Sequence, residues 1–216
     1  MGLDKLEFDA DMEANLSFQN FPLVLSQVSE LDPAMSRPDD STRKLTEIGT
    51  ISPDSRRFAL AQGMSSISQF RAVDYGFENC SLSIALQSDP SQEVFSHGML
   101  VDIWALDGSS KLDPGHLSWN SRPRRKLLLE SVEFRQNVTI SLRQNWICKW
   151  GSMQTFEFVC SNQSRTCFAD FWQNPKDPAL GMVASIDYKC LCLILWSPSG
   201  VTMIQRSTLG GHSQSD

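Results

Sequence analysis

The side chains with most capacity for chemistry in this chain are six cysteines, three histidines, one short basic run and six tryptophans. The cysteines are Cys80, Cys148, Cys160, Cys167, Cys190 and Cys192. Their even number suits disulfides, although six allow many pairings. Cys160 and Cys167 bracket the turn-like stretch SNQSRT between two strand candidates, and in a hairpin their sulfurs would lie within bridging distance. Cys80 and Cys148 sit on or beside strands and could join two sheets. Metal ligation fits poorly. There is no C-x-x-C, the Cys190-x-Cys192 spacing is unusual, and no histidine is near either cluster, so no metal and no cofactor are expected.

His97 lies in FSHG, His116 in DPGHLSW and His212 in the C-terminal tail. For catalysis, His97 or His116 needs a nucleophile or acid within about 3 Å. The G-x-S-x-G and H-E-x-x-H patterns are absent, and the expectation is a protein without enzymatic activity. Asp102 and Glu157 could face each other across a sheet, but carboxylates on strands more often mark the solvated face. The basic run holds Arg122, Arg124, Arg125 and Lys126. It could meet phosphate or an acidic partner, or fold back on the acidic N-terminal arm of its own chain, with a solvated loop as the default. It lacks the interleaved aromatics of a nucleic-acid platform. Trp119 and Trp172 have polar neighbours and could present a flat ring to the C–H face of a sugar, in competition with plain core packing. The candidate ligand-binding residues are therefore Trp119, Trp172, Arg124 and Arg125.

These residues must be positioned by strands. Residues 79–87 (NCSLSIALQ) alternate, with Cys80, Leu82, Ile84 and Leu86 on one face. Residues 98–106 are apolar on both faces except at Asp102, as in a central strand. Residues 136–144, 153–160 and 166–172 are further strand candidates, with turn-forming stretches between them. Short strands without helices between them predict an all-β, antiparallel β-sandwich of jelly-roll type. Val24, Val28 and Leu31 are spaced for a short helix over 23–31, so the N-terminal arm is expected to be poorly ordered or partly helical. Residues 32–43, with two prolines, read as a linker. CLCLILW at 190–196 reads as a buried strand and the last twenty residues as frayed.

The chain has 216 residues and a formal charge of -6. The acidity belongs to residues 1–54, which carry -7, and the remainder carries +1. Neither part has the basic surface of a nucleic-acid binder, and none is expected as a partner. No apolar run is long enough to span a bilayer. Residues 1–11 carry four acidic side chains and no apolar segment of the kind a signal peptide needs. Four N-x-S/T tripeptides, at Asn15, Asn79, Asn137 and Asn162, are acceptors for N-glycosylation in a secreted chain.

Residues 49–86 (GTISPDSRRFALAQGMSSISQFRAVDYGFENCSLSIAL), 117–134 (LSWNSRPRRKLLLESVEF), 151–160 (GSMQTFEFVC) and 167–174 (CFADFWQN) resemble the fungal But-type (ubiquitin-three-binding protein) C-terminal domain family. The resemblance covers about residues 45–182 and stops after Met182. It implies a compact β-sandwich, its name implies binding to a ubiquitin-like activating system, and it supplies no catalytic residues. The expected organisation is an acidic arm and linker over 1–44, a sandwich over 45–182 and an atypical tail over 183–216. The expected function is non-enzymatic binding of a protein, with a carbohydrate-binding module and a small secreted hydrolase as alternatives. Cysteine usage favours an extracellular or lumenal location.

Overall fold

Alternation along a strand becomes alternation between two faces of a sheet, and here most strands bury one or both. A computed structural model of the chain describes residues 17–37, 44–46, 49–51, 56–72, 79–87, 94–164, 166–173, 181–183 and 200–206. They form fourteen strands and no helix. The strands are Ser17–Asn20 (β1), Val24–Ser29 (β2), Lys44–Thr46 (β3), Gly49–Ile51 (β4), Arg56–Ala61 (β5), Met64–Arg71 (β6) and Asn79–Gln87 (β7). Leu100–Leu106 (β8), Arg125–Glu133 (β9), Val138–Ile147 (β10), Met153–Cys160 (β11), Phe168–Gln173 (β12), Gly181–Val183 (β13) and Gly200–Arg206 (β14) follow.

One sheet has the order β1-β14-β13-β7-β10, with β14 also on β7. All its pairings are antiparallel except β13 with β14. The other runs β12-β5-β6-β11-β8-β9, with β2 added to β6, and is antiparallel throughout. β3 and β4 form a separate hairpin. The two large sheets face each other across one core. Leu82, Ile84 and Leu86 of β7 and Leu142 of β10 meet Phe58, Phe70, Val101, Ile103, Phe156 and Phe158 of the second sheet. Phe58 stacks on Phe171 at 5.0 Å and meets Phe158 edge-on at 5.4 Å. Each such ring, fully buried, contributes about 1.5–3 kcal/mol.

The β5–β6 hairpin turns on Gln62 and Gly63, and Gly63 has φ +74°. Only Ala61 and Met64 pair in this ladder. Beyond them the Ser66 hydroxyl stands in for ladder bonds, donating to the Ala59 carbonyl at 2.7 Å and accepting from its N–H at 3.1 Å. A side chain at 63 would meet nothing nearer than Leu31 Cγ at 3.8 Å, so its effect is on the backbone alone. Gly63→Ala is expected to lower stability by about 1–2 kcal/mol, the cost of a left-handed L-residue, as read by urea denaturation.

Several expectations are corrected. The segment 23–31 is not helical: β2 is a strand on β6, pairing Leu25 with Ser68 and Val28 with Ser65. All six of its residues are buried, and a spacing of four residues puts Val24 and Val28 on one face of a strand as well as on one face of a helix. The arm expected over 1–44 contributes β1 and β2 to the two sheets, and the expected linker is engaged. The Pro33 carbonyl accepts from Asn120 N–H at 3.0 Å, and the Arg37 carbonyl from Ser26 Oγ at 2.7 Å. The tail expected to fray supplies β14, paired with β7 over seven residues. CLCLILW, with Cys190 and Cys192, lies outside the described residues, as does His212.

Both proposed cysteine pairs are disulfides, with Cα–Cα separations of 5.9 Å. Their settings differ from the expectation. Cys80 is the second residue of β7 and Cys148 directly follows β10, the neighbouring strand, so this bridge ties two strands of one sheet and not two sheets. Cys160 and Cys167 are not in a hairpin, because β6 and β5 separate β11 from β12 in the sheet.

Candidate functional site

The outer face of the second sheet carries the densest polar chemistry. Glu157 of β11 points away from the main core, yet its exposure is 0%. Residues 107–124, between β8 and β9, fold across this face. Their Leu117, with Leu112 and Trp119, packs on Val28, Ile67 and Leu106, forming a second apolar cluster. Gln69 of β6 pins the crossing segment, donating to the Ser110 carbonyl at 2.9 Å and accepting from Leu112 N–H at 2.8 Å. Under this cover Glu157 accepts from Ser65 Oγ at 2.7 Å and from Arg125 Nε at 2.7 Å, with Arg122 Nε 3.7 Å away. The solvated strand face expected for Glu157 is thus a closed, charged interior.

The basic run is explained by the same carboxylate. Arg125 is the opening residue of β9, and its hydrogen bond to Glu157 raises its affinity for a proton. Burial lowers that affinity for Arg122, whose guanidinium sits 3.5 Å over the Trp119 ring and donates to the Trp119 carbonyl at 2.5 Å. Both remain charged, as arginines do. Trp119 is therefore half-buried with a face covered by Arg122, which removes it as an open sugar platform. Arg125 is committed to Glu157 and is no free anion receptor. Arg124 is exposed, and its carbonyl accepts from Asp107 N–H at 2.8 Å. Four residues named from sequence are thus not one site: Arg125 and Trp119 are structural, Arg124 is surface, and Trp172 stands elsewhere.

The histidines gather no catalytic set among the described residues. His116 Nδ1 lies 2.6 Å from Asp113 Oδ2, which meets the distance asked of an acid partner, but the ring is 88% exposed. The adjacent Ser121 hydroxyl donates to the His116 carbonyl and not to its ring. Asp102 shares the face of Glu157 but is bonded to Ser131 Oγ at 2.6 Å. Among the described residues no three His, Cys, Asp or Glu side chains gather as metal ligands, and no helix is long and apolar enough to cross a membrane.

Trp172 lies on β12, at the far side of the second sheet. This strand alternates sharply: Ala169, Phe171 and Gln173 are buried, whereas Phe168 and Trp172 are 47% and 43% exposed. Asp170 lies between the two rings on the same face. Arg57 of β5, directly opposite Trp172, holds Asp170 in a two-pronged bond, Nε to Oδ1 at 2.8 Å and Nη2 to Oδ2 at 2.5 Å. That bond draws Arg57 further toward its charged form. The strand is braced along its other edge, where Phe95 bridges Ala169: the Asp170 N–H donates to the Val94 carbonyl at 2.8 Å, and the Ser96 N–H to the Phe168 carbonyl at 2.7 Å. The result is two exposed rings about 13 Å apart, at about 3.3 Å per residue, with a fixed guanidinium–carboxylate pair between them. The sequence points to Trp172 through its polar neighbours. Phe168 and Arg57 are legible only once β12 is laid beside β5.

Neither a scan of protein-family models nor a search of curated proteins returned a match to this chain.

Proposed function

We propose that the chain is a non-enzymatic β-sandwich binding domain whose partner is a protein, engaged at the outward face of β12. The observation that carries this reading is the strip Phe168–Asp170–Trp172 flanked by Arg57, in which Phe168, Trp172 and Arg57 are nearly half exposed and Asp170 about a third. Tryptophan and arginine dominate binding hot spots, because they combine large contact area with directed hydrogen bonds. The Arg57–Asp170 pair is held before binding, so little ordering is lost on association. The resemblance of residues 45–182 to But-type domains is in keeping with a protein partner. The two disulfides favour an oxidising, extracellular or lumenal compartment.

Carbohydrate binding is a second reading, favoured by one observation: an exposed indole stands beside a guanidinium–carboxylate pair that could bond sugar hydroxyls. The two readings separate experimentally. A photo-crosslinking phenylalanine analogue at position 168 of the full chain, expressed in its own cells, should capture one protein. That protein, purified, should bind the chain, and Trp172→Ala should weaken the affinity about thirtyfold, a loss of about 2 kcal/mol. Trp172→Ala should leave stability within about 0.5 kcal/mol of wild type, being a surface change. Unchanged affinity for the captured protein would overturn the reading. Binding to an oligosaccharide array that Trp172→Ala abolishes would replace it by the second.

A further inference from the structure

Three of the four N-x-S/T tripeptides have described backbone, and the fold treats them very differently. Asn137, in Asn137-Val138-Thr139, occupies the turn between β9 and β10. It has φ +56°, the one non-glycine left-handed residue among those described. Asn137 and Thr139 are both exposed, and Val138 between them is 40% exposed. Asn162, in Asn162-Gln163-Ser164, is also exposed, but lies inside the short loop closed by Cys160–Cys167. The Ser164 hydroxyl is occupied: it donates to the Thr166 carbonyl at 2.8 Å and accepts from Leu100 N–H at 3.3 Å. Asn79, in Asn79-Cys80-Ser81, begins a strand whose backbone pairs with Ile147 on one side and Arg206 on the other. Cys80 is in a disulfide and Ser81 is buried.

We propose that Asn137 is an N-glycosylation site, that Asn79 is left bare, and that Asn162 is modified only on chains whose Cys160–Cys167 bridge has not yet closed. The proposal rests on the oxidising-compartment reading given above. The donor is an oligosaccharide linked to a polyisoprenyl diphosphate. On an oligosaccharide transferase, the Asn137 Nδ2 forms a bond to the anomeric carbon and gives up a proton to a carboxylate of that enzyme, while the carbon's bond to the diphosphate breaks, the diphosphate leaving with the bonding electrons. Transfer needs the asparagine amide and the hydroxyl two residues on to reach the enzyme together. Asn137 stands in an exposed turn outside any ladder, and Thr139, though its backbone pairs with Ala85 in the β10–β7 ladder, is exposed, which supplies that arrangement. A loop tied by a disulfide, with its hydroxyl already bonded, opposes it. Disulfide closure and sugar transfer therefore compete at Asn162 and not at Asn137.

The test is peptide mapping of the full chain isolated from the cells that make it. Enzymatic release of N-glycans in heavy-oxygen water leaves labelled aspartate at each occupied position. Labelling at position 137, its loss in both Asn137→Gln and Thr139→Ala, and none at 79 are expected. Cys167→Ser should raise labelling at 162 severalfold. Intact disulfides with an unlabelled Asn137 would overturn the site while leaving the compartment reading in place. Free thiols at 80, 148, 160 and 167 with no labelling anywhere would overturn the compartment reading and the site with it. Unchanged labelling at 162 in Cys167→Ser would overturn the competition.

Discussion

Glu157→Ala is expected to destabilise the protein by about 3–5 kcal/mol, the cost of breaking a buried ion pair from one side. Glu157 is wholly buried, and its two arginine neighbours are only 21% and 32% exposed. Removing the carboxylate leaves the Arg122 and Arg125 guanidinium charges without their shared partner, with the Ser65 hydroxyl deprived of its acceptor. Against a typical domain stability of about 5–15 kcal/mol, this is a large fraction. The measurement is urea denaturation, with limited proteolysis as a local probe, and cleavage should appear first within 107–124. The triple change Glu157→Met, Arg122→Met and Arg125→Met tests the cause. Three apolar side chains of similar length remove the attraction and most of the desolvation cost together, so much of the lost stability should return. A single alanine variant within about 1 kcal/mol of wild type would place this cluster among solvated surface pairs and contradict the buried geometry.

The same cluster shows what a linear reading can and cannot reach. Alternation alone places β11 at 153–160, because Phe156, Phe158 and Cys160 share a face, and it puts Glu157 on the opposite face. What covers that face is a segment beginning at residue 107, and nothing local to Glu157 encodes it. The basic run reads as a solvated loop or as a partner for the acidic arm. It does fold back on an acid of its own chain, but the acid is a strand residue. β6 escapes notice for a different reason. Ser65, Ser66, Ser68 and Gln69 are all buried, so polar residues occupy both faces of β6 and erase its alternation. The remaining clue, the Gln62-Gly63 turn, is the kind that joins two strands. At Cys160–Cys167 the pairing is legible from a short turn-like spacing, whereas the hairpin used to justify it is not what brings the sulfurs together. Trp172 is legible as a residue, but its neighbour Arg57 belongs to a strand more than a hundred positions away, and only sheet order joins them.

Removing the Cys80–Cys148 bridge by Cys80→Ala with Cys148→Ala is expected to cost about 4 kcal/mol, and removing Cys160–Cys167 in the same way about 2.5 kcal/mol. The difference follows from loop length. Residues 80 and 148 are 68 positions apart, whereas 160 and 167 are only 7 apart. A cross-link restricts the unfolded chain more when it closes a longer loop, as the logarithm of its length. The long loop is also the structurally richer one, since it contains all of β8, β9 and β10 and all but the first residue of β7. Native strain and residual order in the unfolded chain reduce such effects in practice, so the ordering of the two variants is the sharper quantity. Equilibrium unfolding of both double variants, without reductant, measures it. The burial of Cys80 and Cys148 in the main core adds in the same direction, because two alanines leave unfilled volume between β7 and β10. A larger loss from the short loop would mean that the path from β11 to β12, which bypasses two intervening strands, depends on its disulfide for more than chain entropy. The strip of Phe168, Asp170 and Trp172 begins one residue after Cys167, so that outcome would also make the bridge a positioning element for the proposed binding face.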